Sequence, residues 1–188
     1  MTPHDLAMQK AKIQLMSTPG AVFFMTVCFS LKHVWNPNIP TACTNGMTVE
    51  YSPEFFLSLS LKARVSLLLH ETLHVAYMHM ARLGGRCPER WNKATDYVIN
   101  LMLHDRNFEI PQDWLLNTDF RGMSAEQVYD LLPNFGSPPP IFDLNPDSQS
   151  ASDTDSDAKR NTDPNSLQKK IDGILSSSSR CFKGCTKF

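Results

Sequence analysis

His70-Glu71-Thr72-Leu73-His74 constrains this chain more than any other segment. On a helix, two residues four positions apart differ by about 40° in direction, so both imidazoles leave one face a single turn apart. Such a pair can clamp one metal ion, zinc above all. Glu71 stands beside it, placed to take a proton from a water that the ion activates. Val65-Ser66-Leu67-Leu68-Leu69 leads into the motif and Val75-Ala76-Tyr77-Met78 leaves it, which predicts an apolar, buried helix. The competing reading is a pair of core histidines satisfied by hydrogen bonds, with Glu71 on a solvated edge. A buried His-Glu-His cluster without a metal would be costly to desolvate, so the expected cofactor is Zn2+.

Composition narrows the setting. The 188 residues suffice for one domain with a real core. A net charge of −1 with no basic block argues against nucleic acid as the main partner. Five cysteines, at Cys28, Cys43, Cys87, Cys181 and Cys185, make a poor disulfide framework and favour a reducing cytoplasm. The spacing of Cys181 and Cys185 matches no strong zinc pattern. The longest apolar run, residues 21–31 (AVFFMTVCFSL), is too short to span a bilayer, so no membrane is expected. Lys10 and Lys12 precede it as in a signal peptide, but no small-residue cleavage site follows, and a buried central strand is the expected element.

Residues 4–16 carry Leu6, Ala7, Ile13, Leu15 and Met16 at helical spacing, and Pro19-Gly20 should end that helix. Residues 41–44 and 47–51 flank Asn45-Gly46, a two-residue hairpin signal. Ser52-Pro53 starts a short helix. The metal helix should run over 61–83 until Gly84-Gly85 and Pro88, and a second long helix over about 89–105. Ser124-Ala125-Glu126-Gln127 is a capping box for a last helix. After Phe135 the composition turns to Ser, Asp, Asn and Pro, too polar to offset ordering entropy. The expected domain is 1–136, followed by a disordered linker over 137–166 and a short, mostly disordered tail over 167–188.

A catalytic zinc takes three protein ligands and leaves a position for water. The third candidates are His79, Asp96 and His104. On an unbroken helix His79 points about 140° from His74, and residues 75–78 contain no glycine or proline to turn it back. Asp96 lies on the next helix in the stripe Asn92, Asp96, Asn100, polar positions on an otherwise apolar element. Polar groups on a buried face need partners, and a metal with outer contacts to its histidines would supply them; a solvated stripe is the alternative. His104 shares that face two turns away. The ranking is Asp96, then His79, then His104.

Several blocks carry a family resemblance: Asn45-Gly46; Ser52-Pro53-Glu54-Phe55; the His70–His74 motif with His79; and Trp91 to Asn100 (WNKATDYVIN). Residues 119–126 (DFRGMSAE) and 128–132 (VYDLL) follow in the same order. From Asn45 to Leu132 the chain resembles the metallopeptidase domain of bacterial and phage proteins that usually sits ahead of a von Willebrand A-like domain. The resemblance implies an α+β, zincin-like fold: a small twisted sheet with a hairpin packed on the zinc-motif helix, and a mostly helical C-terminal half. It implies His70 and His74 as ligands, Glu71 as base and Asp96 as the acidic residue of the Trp-Asn block. Nothing after Phe135 resembles a von Willebrand A-like domain, an arrangement that would suit a compact phage genome.

The expected activity is therefore zinc-dependent hydrolysis of a protein or peptide substrate, with Glu71 as general base. The substrate would add as a strand along residues 47–51. Tyr97, Tyr77 and His79 are unranked candidates to stabilise the oxyanion, and Asn92 and Asn100 are expected to steady the ligands from outside. The alternative is a non-catalytic scaffold with a structural zinc, its C-terminal tail tethering a partner protein.

Overall fold

The computed structural model describes residues 1–19 and 21–133, so the expected linker and tail lie outside the described residues. Helix α1, Pro3–Met16, opens on a capping box in which the Thr2 side chain accepts from the Asp5 amide while the Asp5 carboxylate accepts from the Thr2 amide. It buries Ala7, Met8, Ala11 and Leu15, while Leu6, Ile13 and Met16 face outward. The small Ala7 and Ala11 let α1 lie close against the motif helix.

Residues 21–31 depart from the expected strand. Val22–Ser30 is a helix, α2. Phe24, Met25, Cys28 and Leu31 turn to the core at helical spacing, while Val22, Phe23 and Phe29 are exposed. With apolar residues on both faces, the 3.6-residue period cannot be seen in the sequence, and β-branched and aromatic content then suggests a strand.

The sheet is small and mixed. β1 (Lys32–Trp35) pairs in parallel with β3 (Thr48–Tyr51), which pairs antiparallel with β2 (Ala42–Thr44), giving the order β1-β3-β2. The hairpin forms where Asn45-Gly46 predicted it, one residue later in register. Asn45 faces Thr48, with its amide donating to the Thr48 carbonyl at 3.1 Å, so Gly46-Met47 is the two-residue loop. Gly46 takes a φ of +92°, the conformation that a hairpin turn with glycine first requires. β3 is central, with both edges occupied, so it cannot receive a substrate strand at residues 47–51.

Helix α3 (Pro53–Ser58) is capped by Ser52 as expected. The motif helix, α4 (Leu61–Ala76), is capped by Ser60, whose hydroxyl accepts from the Ala63 amide. It sits at the centre: α1, α2, β2 and the long helix α6 (Pro88–Asp105) all pack on it. Leu67, Leu68, Leu69 and Leu73 carry that packing, all buried. A one-turn helix, α5 (His79–Arg82), separates α4 from α6, and the Ser124 capping box starts α7 (Ala125–Leu131). The described residues are α+β, with two helices before the sheet and the others after it.

Cys28 and Cys87 carry free thiols. Cys43 is disulfide-bonded, although the five scattered cysteines make a poor disulfide framework.

Gly46→Ala should lower unfolding stability by about 1 kcal/mol or more, because the loop demands positive φ. A Cβ there would also meet Met80 Cε at 3.2 Å. Urea unfolding reads the difference, and a midpoint unchanged from the parent would contradict this turn.

Candidate metal centre

α4 and α6 face each other with polar groups between them. His70, Glu71 and His74 are buried on α4, and Asn92, Asp96 and Asn100 are buried on α6, so the four-residue stripe does face the motif. His70 Nε2 and His74 Nε2 lie 3.0 Å apart. Asp96 Oδ1 lies 3.1 Å from His74 Nε2 and 3.5 Å from His70 Nε2. One ligand atom from each of these three residues thus falls within 4.8 Å of the others.

Outer contacts decide which atoms point inward. Asn100 Nδ2 donates to the Leu115 carbonyl, which fixes the amide and turns its Oδ1 toward His70. That oxygen can only accept, so His70 Nδ1–H must be the donor of the 2.8 Å bond between them. His70 then meets Asp96 and His74 with Nε2. The His70 ring also rests edge-on against Trp114, with centroids 5.2 Å apart. On Asp96, Asn92 Nδ2 donates to Oδ2 at 3.1 Å. Oδ1 is left buried with no hydrogen-bond partner.

His74 is held by the residue that an unbroken helix would have sent away. α4 does not run on to residue 83. It ends at Ala76, and Met78 adopts a left-handed conformation, φ +54°. The chain turns, and His79 comes back beneath His74, Nδ1 to Nδ1 at 3.3 Å. Nothing in residues 75–78 signals this break; the surroundings impose it. Arg82 Nη1 donates to the Tyr77 carbonyl at the end of α4, and Trp91 Nε1 donates to the His79 carbonyl at 2.8 Å. Arg82 is itself clamped by Glu126 of α7, with contacts of 2.7 to 3.1 Å. His79 is only 1 % exposed. Burial first, then the neighbouring His74 and Arg82, bring its pKa down to about 2, so the ring is neutral and able to accept at Nδ1.

The electrostatics of the cluster oppose one another. Burial pushes the Asp96 carboxyl up, but the His70 and His74 imidazoles beside it outweigh that, and the net shift is downward. Burial pulls His70 down, yet the Asp96 carboxylate raises it overall. Glu71 moves upward: burial dominates, His70 and His74 partly oppose it, and Asp96 adds to it. No protein hydrogen bond engages the Glu71 carboxylate among the described residues.

A buried carboxylate oxygen without a donor, facing two imidazole nitrogens whose partners lie on the far side of their rings, is an arrangement that fits a cation. Residues 3–188 match the family described as "Putative metallopeptidase domain". The chain belongs to that family. No curated protein and no solved structure gives a significant match.

For this metallopeptidase domain, the match runs well beyond the blocks between Asn45 and Leu132, through α1 and α2 and past the described residues. The donor set suits a metal such as zinc, which takes imidazole nitrogen and carboxylate oxygen together. Three sequence candidates stand apart from the cluster. His104 is exposed beside Asp105, and Tyr97 packs edge-on against Phe120, centroids 5.1 Å apart. The Tyr77 hydroxyl donates to Met102 Sδ, with its ring tilted on His79. Trp114 lies in an irregular stretch with no periodicity to mark it, and Arg82 and Trp91 act through contacts that set the turn at Met78, which spacing in the sequence does not reveal.

That turn is testable. A non-glycine residue pays roughly 1–2 kcal/mol to sit left-handed, against about 0.5–1 kcal/mol of extra unfolded-state entropy for glycine. Met78 is largely solvent-exposed, so little packing is lost. Met78→Gly should raise stability by roughly 0.5–1 kcal/mol, and Met78→Val should lower it. Thermal unfolding showing the opposite order would mean that α4 continues through this point.

Proposed function

We propose that this chain is a zinc-dependent peptidase in which His70, His74 and Asp96 hold the metal and Glu71 is the general base. The observation that carries this reading is the convergence of two imidazole nitrogens and an unsatisfied carboxylate oxygen in a buried cluster beside the Glu71 carboxylate. Three ligands on a tetrahedral zinc at bond lengths of about 2.0–2.1 Å would stand ~3.3 Å apart. The separations of 3.0, 3.1 and 3.5 Å straddle that value. When bound, zinc supplies a Lewis acid that polarises the scissile carbonyl and makes water a competent nucleophile near neutral pH.

The protein groups do the rest. His70 and His74 present Nε2 because Asn100 and His79 hold their Nδ1 atoms. Asn92 steadies the second oxygen of Asp96. Glu71, adjacent to His70 on α4, takes a proton from the attacking water and delivers it to the leaving amine. Its raised pKa favours that exchange, because a base that is too acidic holds a proton poorly. The substrate is a protein or peptide. With β3 interior to the sheet, an extended segment would have to engage another edge, and β2 is the strand that packs on α4.

Glu71→Gln should fold, keep its metal, and lose hydrolysis of unfolded protein substrates by orders of magnitude. Equal residual cleavage by parent and variant would assign the activity to a contaminant. A metal-loaded parent that cleaves nothing across a broad peptide library would favour a structural zinc instead. Asp96→Ala should weaken zinc binding most, since it removes a ligand. His79→Ala should cost ~10–100-fold, the usual effect of losing an outer contact to a metal-bound histidine. Competition titration against a chelating dye gives both numbers, and a larger loss for His79→Ala would make His79 the third ligand.

A further inference from the structure

The outward face of α2 is unlike the rest of the surface. Val22, Phe23, Thr26, Phe29 and Ser30 recur at i, i+1, i+4, i+7 and i+8, which is one side of a helix, and all are exposed. Val22 is 68 % exposed, Phe23 65 % and Phe29 44 %. No charge lies on this helix. Its two outward hydroxyls are already satisfied: Thr26 donates to the Val22 carbonyl and Ser30 to the Val27 carbonyl. Nothing on the face therefore requires water, and large exposed apolar surface of this kind marks a site of interaction.

The surrounding charge says with what. Between Asp5 and Glu50 the sequence contains no acidic residue, whereas it carries Lys10, Lys12 and Lys32. Lys12 of α1 places its ammonium 5.7 Å from the Phe29 ring centre, and Lys32, directly after the Leu31 that caps α2, is exposed. In a symmetric pairing with a second copy each patch meets itself, and residues 6–49 offer lysines but no carboxylate to receive them. An anionic bilayer satisfies both features, taking the aromatic and aliphatic side chains into its interface and the ammonium groups at its headgroups.

We propose that the outer face of α2, with Lys12 against it and Lys32 just beyond its C-terminal end, is a peripheral docking surface for an anionic phospholipid membrane. No helix among the described residues is long and apolar enough to cross a membrane. The contact is interfacial and needs no membrane-spanning length. It places the chain at a lipid surface independently of what its metal centre does.

The experiment is flotation of the full chain with vesicles of phosphatidylglycerol and phosphatidylcholine in equal parts, alongside vesicles of phosphatidylcholine alone. The parent should float with the anionic vesicles, and high salt should release much of it. Phe23→Ser should reduce partitioning at least about tenfold, the effect of losing one buried aromatic side chain. Lys32→Ala should reduce it about fivefold. Both residues point outward, so both variants should melt with the parent. No binding to anionic vesicles, or binding unchanged by Phe23→Ser, would overturn the proposal. So would a dimer in sedimentation that Phe23→Ser dissociates, which would assign the face to a second copy. Flotation involves no peptidase assay, so failure here leaves the metal-centre reading standing.

Discussion

Everything at the centre of this molecule follows from one carboxylate oxygen. Asp96 Oδ1 is buried between α4 and α6 with no hydrogen-bond donor, against two imidazole nitrogens. An ionised oxygen in that position is costly to desolvate, and removing compensation from a buried charge is among the largest single losses a fold can suffer. The surrounding protein provides one outer contact for each of Asp96, His70 and His74. Asn92 takes the other Asp96 oxygen, Asn100 takes His70, and His79 takes His74. The unsatisfied Asp96 oxygen therefore sits at the point where three potential ligand atoms converge.

The fold can be understood as the support for that point. α4 is enclosed by α1, α2, β2 and α6, so its motif residues cannot swing into solvent. The turn at Met78 is strained locally but secured by Arg82, Glu126 and Trp91, which belong to three different helices. Positioning of His74 thus depends on α7, more than forty residues along the chain. Strain of this kind persists only where the surroundings over-determine it, and it concentrates at functional sites.

What the sequence disclosed and what it hid separate along physical lines. The HExxH spacing, the Asn92-Asp96-Asn100 stripe, the Ser52, Ser124 and Gly46 signals and the α+β arrangement all depend on local periodicity or turn chemistry, and they were legible. The facing of α4 and α6 followed because a polar stripe on an apolar helix has few places to go. α2 was misread because its two faces are both apolar, so no period showed, and β1 was hidden in Lys32–Trp35, too short to carry alternation. The end of α4 was missed for another reason. Val75 to Met78 is competent helix, and the residues that stop it reach it from elsewhere in the fold. That error placed His79 on the wrong side of the helix, away from the histidine it contacts. The occupied edges of β3 were equally invisible, since a hairpin alone does not reveal the parallel partner that makes its second strand central.

The central claim is that two histidines and an aspartate hold the metal while His79 stays outside. X-ray absorption at the metal edge of the purified full chain, prepared without chelators, measures this directly. The account predicts close to one metal per chain, with two imidazole nitrogens and one carboxylate oxygen at about 2.0–2.1 Å. A shell with three imidazoles, or a chain that carries no metal at all, would contradict it.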